Sequence, residues 1–148
     1  MGPLQSFLAY AQDFETTYED DDWSRLERHF APGAVYEVRG APFACRIEGR
    51  RAVLRGMKKS LDGFDRRFEK RSLEVTEAPK EAGDTFTVGW AATYRKPGAP
   101  PLVIHGRSTA RYAGDVIAEL VDEFLEGTGA ELASWSRAHA PDVDLSYI

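Results

Sequence analysis

Asp122 is the residue of this sequence best placed to do chemistry. It is the single acid in the alternating set Ala118, Leu120, Asp122 and Phe124, whose other members are apolar. A carboxylate held among apolar side chains loses hydration and its pKa rises. It can then give or take a proton near neutral pH. Side chains alternate across a strand, so Ile117, Glu119, Val121 and Glu123 form the opposite face. In the preceding stretch one face is Leu102, Ile104, Gly106, Ser108, Ala110 and Tyr112. The other is Val103, His105, Arg107, Thr109 and Arg111. The tight turn Ala113-Gly114-Asp115 joins the two stretches as a hairpin. Arg107 and Arg111 then share a face with Glu119 and Glu123, an arrangement suited to a wet or partner-facing surface. The apolar faces, with Asp122, turn inward. On an approximate count Gly106 stands opposite Asp122 and leaves space beside the carboxylate.

His105 falls on the outer face in this register. A slip of one residue would turn it inward, beside Asp122, as an acid–base dyad. Further pocket candidates follow from the same alternation. Tyr36 and Val38 share a face of an early strand. Val88, Trp90, Ala92 and Tyr94 form the large face of a later one. Phe14 and Tyr18 come from the first helix. With Ser108, Leu120 and Phe124 these residues make the expected ligand-binding wall. A tyrosine there can donate to a ligand oxygen. The competing reading of each aromatic is plain core, and that of Asp122 is a structural lock on a tyrosine or backbone amide.

No metal is expected, because His29, His105 and His139 lie at spacings that suggest no convergent ligand set. There is no glycine-rich phosphate loop, nucleophile elbow or dinucleotide fingerprint, so no cofactor is expected. Cys45, beside Arg46, is placed in a loop at the pocket mouth, where a reactive thiol would need a base or a positive neighbour.

The elements that must position these residues can be read from periodicity. Phe7, Tyr10, Ala11, Phe14 and Tyr18 recur at helical spacing. Asp20-Asp21-Asp22 breaks that helix and caps a second, from Trp23 to Phe30, which Pro32-Gly33 stops. A strand follows from Ala34 to Arg39, then a third helix from about Gly49 to Leu61. The period then changes to two. Strands are expected at about 68–77, 85–96, 102–112 and 116–125, separated by short turns and therefore antiparallel. A short helix is expected around 131–139. Helices first and a meander last define an α+β fold.

The chain has 148 residues, the size of one domain, and needs no disulfide or metal staple to bury a core. Its formal charge of −5 argues against nucleic acid or an anionic membrane as partner. No apolar run approaches the ~20 residues of a membrane span. A single cysteine fits a reducing cytoplasm.

Three stretches resemble a known family. Trp23-Ser24-Arg25-Leu26-Glu27-Arg28-His29-Phe30-Ala31-Pro32-Gly33-Ala34-Val35-Tyr36 is similar to its second helix running into its first strand. Ile47-Glu48-Gly49-Arg50-Arg51-Ala52-Val53 is similar to the lead-in to its third helix. Val103-Ile104-His105-Gly106-Arg107, Arg111-Tyr112-Ala113-Gly114-Asp115 and Ile117 to Phe124 are similar to its closing hairpin. In their order and spacing these resemble the nuclear transport factor 2-like superfamily, which includes ketosteroid isomerases and SnoaL-like polyketide cyclases. The resemblance implies a cystatin-like, cone-shaped curved antiparallel sheet, closed by three N-terminal helices around a pocket. It also implies a hydrophobic small molecule as ligand and a homodimer formed through the sheet. An aspartate on the last strand is a common acid/base position in the SnoaL-like members. The ketosteroid isomerase constellation is not matched, since its positions fall near Val38, Ser108 and Phe14. The expectation is a single domain, 1–148, with a core of about 5–126 and an extension, 127–148. It is a cofactor-independent enzyme doing isomerisation, cyclisation or hydration/dehydration on a carbonyl-bearing substrate. The alternative is a non-catalytic binding or dimerising scaffold.

Overall fold

Pro3 opens α1 (Pro3–Asp20), a position where its missing N–H costs nothing. The helix stops at Asp21, which turns left-handed (φ 61°) and donates its N–H to the Thr17 carbonyl. The computed structural model describes residues 2–147. Residues 1 and 148 of the expected domain lie outside it. Tyr10 is buried at the centre of the inner face of α1, and Phe7 stacks on Phe86 at 4.4 Å between ring centroids.

The second helix is a 3-10 helix, Trp23–His29, rather than an α-helix. Asp22 caps it by accepting from the Ser24 N–H. Strand β1 (Phe30–Arg39) then starts directly at Phe30, and Pro32 and Gly33 lie exposed within it where the β1–β6 pairing shifts. The three aspartates are more than a break. Asp20 pairs with Arg25, while Asp21 meets Lys58 and Arg66, so the run ties α1 to the elements beneath it.

A short strand, β2 (Cys45–Glu48), pairs antiparallel with β1. Cys45 therefore lies in a strand opposite Val38 and not in a mouth loop. Helix α2 (Arg50–Gly63) buries Val53, Leu54, Met57 and Leu61, the face its spacing predicts. A turn of 3-10 helix (Asp65–Arg67) leads into β3 (Lys70–Ala82), β4 (Thr85–Arg95), β5 (Leu102–Ala113) and β6 (Val116–Phe124), followed by α3 (Thr128–His139). Strand β3 runs on through residues expected to form a turn. As an edge strand it tolerates Pro79.

The six strands form one open, curved sheet in the order β2-β1-β6-β5-β4-β3. Every pairing is antiparallel except β1 with β6, which is parallel because the chain returns to its first strand from the far side. The helices cover the concave face. Asp13 pins α1 to the 3-10 helix by bonding the buried His29 ring at 2.7 Å. No helix is long and apolar enough to cross a membrane among the described residues.

Candidate active site

The β5–β6 hairpin places the acid. Tyr112 opposes Ile117 and Arg111 opposes Glu119, so Ala118 is one extra residue on β6. Without it the even-numbered, apolar faces of the two strands would not coincide, because a shift of one residue exchanges the faces. With it, Ser108 stands directly opposite Asp122, and Gly106 opposes Phe124 instead. The space expected beside the carboxylate at Gly106 is occupied by the indole of Trp90.

Asp122 sits near the middle of the sheet, with Val38 of β1 as its parallel partner. Tyr36, two residues earlier on the same face, donates its phenol to Asp122 Oδ2 at 2.7 Å. Ser108 Oγ donates to Oδ1 at 2.6 Å and accepts from Trp90 Nε1 at 2.9 Å. Burial pushes the Asp122 carboxyl above its ordinary range, and the two hydroxyl donors only partly oppose this. Among the described residues no cation is one of the groups acting on it.

These groups face a cavity of about 380 Å³. Its wall includes Phe14, Tyr36, Trp90, Tyr94, Ser108, Leu120, Asp122 and Phe124, all anticipated from strand or helix alternation. Two expected wall residues are elsewhere. Val38 is buried beside Asp122 without reaching the cavity. Tyr18 turns its hydroxyl to the Asp65 carbonyl (3.3 Å) and its ring to the guanidinium of Arg71 (5.2 Å). His105 is exposed on the outer face of β5, opposite Ala91. The register does not slip, so His105 forms no dyad with Asp122.

The cavity wall also holds a buried carboxylate, Asp65, that the alternation did not reveal. Asp65 Oδ2 accepts from Tyr94 at 2.9 Å and from Arg71 Nε at 3.0 Å. Arg71 in turn holds Glu15 through Nη1 at 3.0 Å. Burial raises the Asp65 pKa, against the pull of Arg71 and Tyr94. Asp65 comes from a three-residue 3-10 turn, which has no periodicity to read. Arg71 ends the basic run Arg66-Arg67-Phe68-Glu69-Lys70-Arg71, a pattern that reads as a solvated strand entry.

The two aspartates thus have different environments. Asp65 has a guanidinium partner that favours its charged form, whereas Asp122 has only neutral donors. Among the described residues no three His, Cys, Asp or Glu side chains converge as a metal-binding group.

Comparison with known proteins agrees with this fold. Residues 11–120 match the family described as the SnoaL-like domain. The chain belongs to that family, within the nuclear transport factor 2-like superfamily. Similar solved structures include a protein from Shewanella denitrificans provisionally described as a SnoaL-like polyketide cyclase. It shares 15% identity over 93% of this chain and 98% of that one, with a TM-score of 0.66. A Bacillus subtilis protein provisionally described as an isomerase shares 16% identity over 92% and 98%, with a TM-score of 0.67. A Catenulispora acidiphila protein with a ketosteroid isomerase-like fold, in complex with trimethylamine, shares 20% identity over 86% and 92%, with a TM-score of 0.62. No curated protein matches the chain.

Proposed function

We propose that this protein is a cofactor-independent enzyme that moves a proton on a hydrophobic, carbonyl-bearing small molecule, with Asp122 as acid and base. The reaction class is isomerisation, cyclisation or hydration/dehydration. One observation carries the reading: Asp122 faces an aromatic-walled cavity of about 380 Å³, with no counter-cation beside it among the described residues. A carboxylate so placed is poised between its two protonation states. Tyr36 and Ser108 orient it, and Trp90 orients Ser108.

The test is α-proton exchange. A panel of aromatic and alicyclic ketones is incubated with the protein in deuterated water and read by NMR. The wild type should incorporate deuterium at the α-carbon of at least one ketone, and Asp122→Asn should slow this by about a hundredfold or more. Equal exchange in both proteins removes Asp122 from the mechanism.

A second reading has its own support. Both Asp122 oxygens already accept a hydrogen bond, which is also how a structural lock looks. In that case the cavity binds a ligand without turning it over, and no ketone exchanges faster than in buffer.

The remaining assignments are of the same kind. The small, uncharged residues Thr87, Thr93, Val103 and Thr109 on the convex face of the sheet suit a homodimer interface. The free Cys45, half-buried with its thiol pushed up by burial, suits a reducing compartment such as the cytoplasm. The net charge of −5 disfavours nucleic acid and anionic membranes as partners.

A further inference from the structure

The segment after α3 does not drift over the surface; it lies in a groove that two glycines of α2 create. Gly56 and Gly63 are two turns apart and so share one helix face. A Cβ on Gly63 would stand 2.9 Å from Asp144 Cβ and 3.1 Å from the Asp144 carbonyl oxygen. A Cβ on Gly56 would stand 3.0 Å from the Tyr147 carbonyl oxygen. The Asp144 N–H caps the Gly63 carbonyl at 3.0 Å, and Lys59 reaches Asp144 and Ser146. Neither glycine has a left-handed φ, so close approach is what they supply.

This track delivers Tyr147 to the cavity wall. Its ring packs edge-on against Tyr36 at 5.6 Å and against Phe43 at 6.0 Å. Its hydroxyl lies close enough to those of Ser60 and Tyr36 for both to act on its pKa. The other cavity tyrosines have their protons committed. Tyr36 donates to Asp122, Tyr94 to Asp65, and Tyr10 to the Met57 sulfur. The Ser108 hydroxyl and the Trp90 N–H are committed as well. The polar groups beside the Tyr147 hydroxyl are the hydroxyls of Ser60 and Tyr36 rather than a carboxylate, and the Ser60 hydroxyl can rotate to leave the Tyr147 proton for a ligand.

We propose that Tyr147 is the hydrogen-bond donor to the ligand's carbonyl oxygen, carried into the cavity by the 140–147 segment on the Gly56/Gly63 track. The proposal deepens the acid/base reading and rests on it. When Asp122 takes a proton from the α-carbon, the C–H electron pair moves into an enolate and charge builds on the carbonyl oxygen. Tyr147 meets that charge with its O–H. Burial raises the Tyr147 pKa, so the phenol keeps its proton at neutral pH.

The experiment compares two probes of similar shape, 2-acetylnaphthalene and 2-ethylnaphthalene, by equilibrium binding. Wild-type protein should bind the ketone about tenfold more tightly, the worth of one good hydrogen bond. Tyr147→Phe should bind both equally while keeping its affinity for the hydrocarbon. Gly63→Ala removes no donor, yet it should erode the preference by displacing the segment, at the modest cost in thermal stability that overpacking brings. A preference kept in Tyr147→Phe overturns the donor, and one kept in Gly63→Ala overturns the track. If neither probe binds the wild type, the cavity reading itself fails and this proposal with it. Failure of the acid/base reading alone would leave the binding preference intact and abolish only the exchange of α-protons.

Discussion

The indole of Trp90 lies where a side chain at position 106 would be: a Cβ on Gly106 would stand 2.5 Å from indole Cζ2. The two residues are register partners across β4 and β5. The glycine lets the ring lie flat on the neighbouring strand, and from there its N–H reaches Ser108. Gly106→Ala should therefore push the ring away. The expected cost is about 1–3 kcal/mol, the usual range for overpacking, measured by thermal unfolding. A change in tryptophan emission should accompany it. Unaltered stability and emission would show that the ring has room to yield.

Asp122 gives a prediction in which stability and activity move in opposite directions. Burial raises its pKa in the folded chain above the unfolded value. The folded state therefore holds a proton that the unfolded state has released. The resulting stability is complete below the unfolded pKa and is lost as pH rises through the folded one. Asparagine escapes that loss because it never ionises. Asp122→Asn should melt at a higher temperature than the wild type at neutral pH, and the difference should close in acid. A variant that melts lower at every pH would mean that the two hydroxyl donors outweigh desolvation.

Arg71 and Asp65 form a pair whose side chains are 11% and 10% exposed. Removing one partner of such a pair leaves the other charge buried and uncompensated. Arg71→Met should cost about 3–5 kcal/mol, and the loss should shrink at low pH as Asp65 takes up a proton. The double variant with Asp65→Asn should recover much of the loss in denaturant unfolding. No recovery would locate the effect in the Arg71–Glu15 contact instead.

The convex face of the sheet can be tested by a single charge. Thr109 lies between Thr87 and Val121 on that face. Sedimentation at micromolar concentration should give a dimer for the wild type and a monomer for Thr109→Glu. A wild-type monomer would remove the sheet-to-sheet pairing.

Much of this site was legible in the chain because alternation is a local property. The period-two pattern in β4, β5 and β6 put Trp90, Tyr94, Ser108, Leu120, Asp122 and Phe124 on the inner faces, and the structure shows them there. It also put His105, Arg107 and Arg111 on the other side. Pairing was harder to read. One extra residue, Ala118, moved Ser108 opposite Asp122, and no residue type in the turn announces that shift.

The sequence by itself determined the α+β class, the inner and outer faces of β4, β5 and β6 beyond Ile117, and one acid among apolar neighbours. Each depends on residues a few positions apart, whose side-chain directions follow from backbone geometry. Only the tertiary structure decided what surrounds that acid. Tyr36 lies 86 positions from Asp122, and Tyr94 lies 29 from Asp65. The 140–147 segment returns to α2 along two glycines that look ordinary in the chain. Contacts of that kind are set by how elements pack, and packing leaves no periodic trace in the order of the residues.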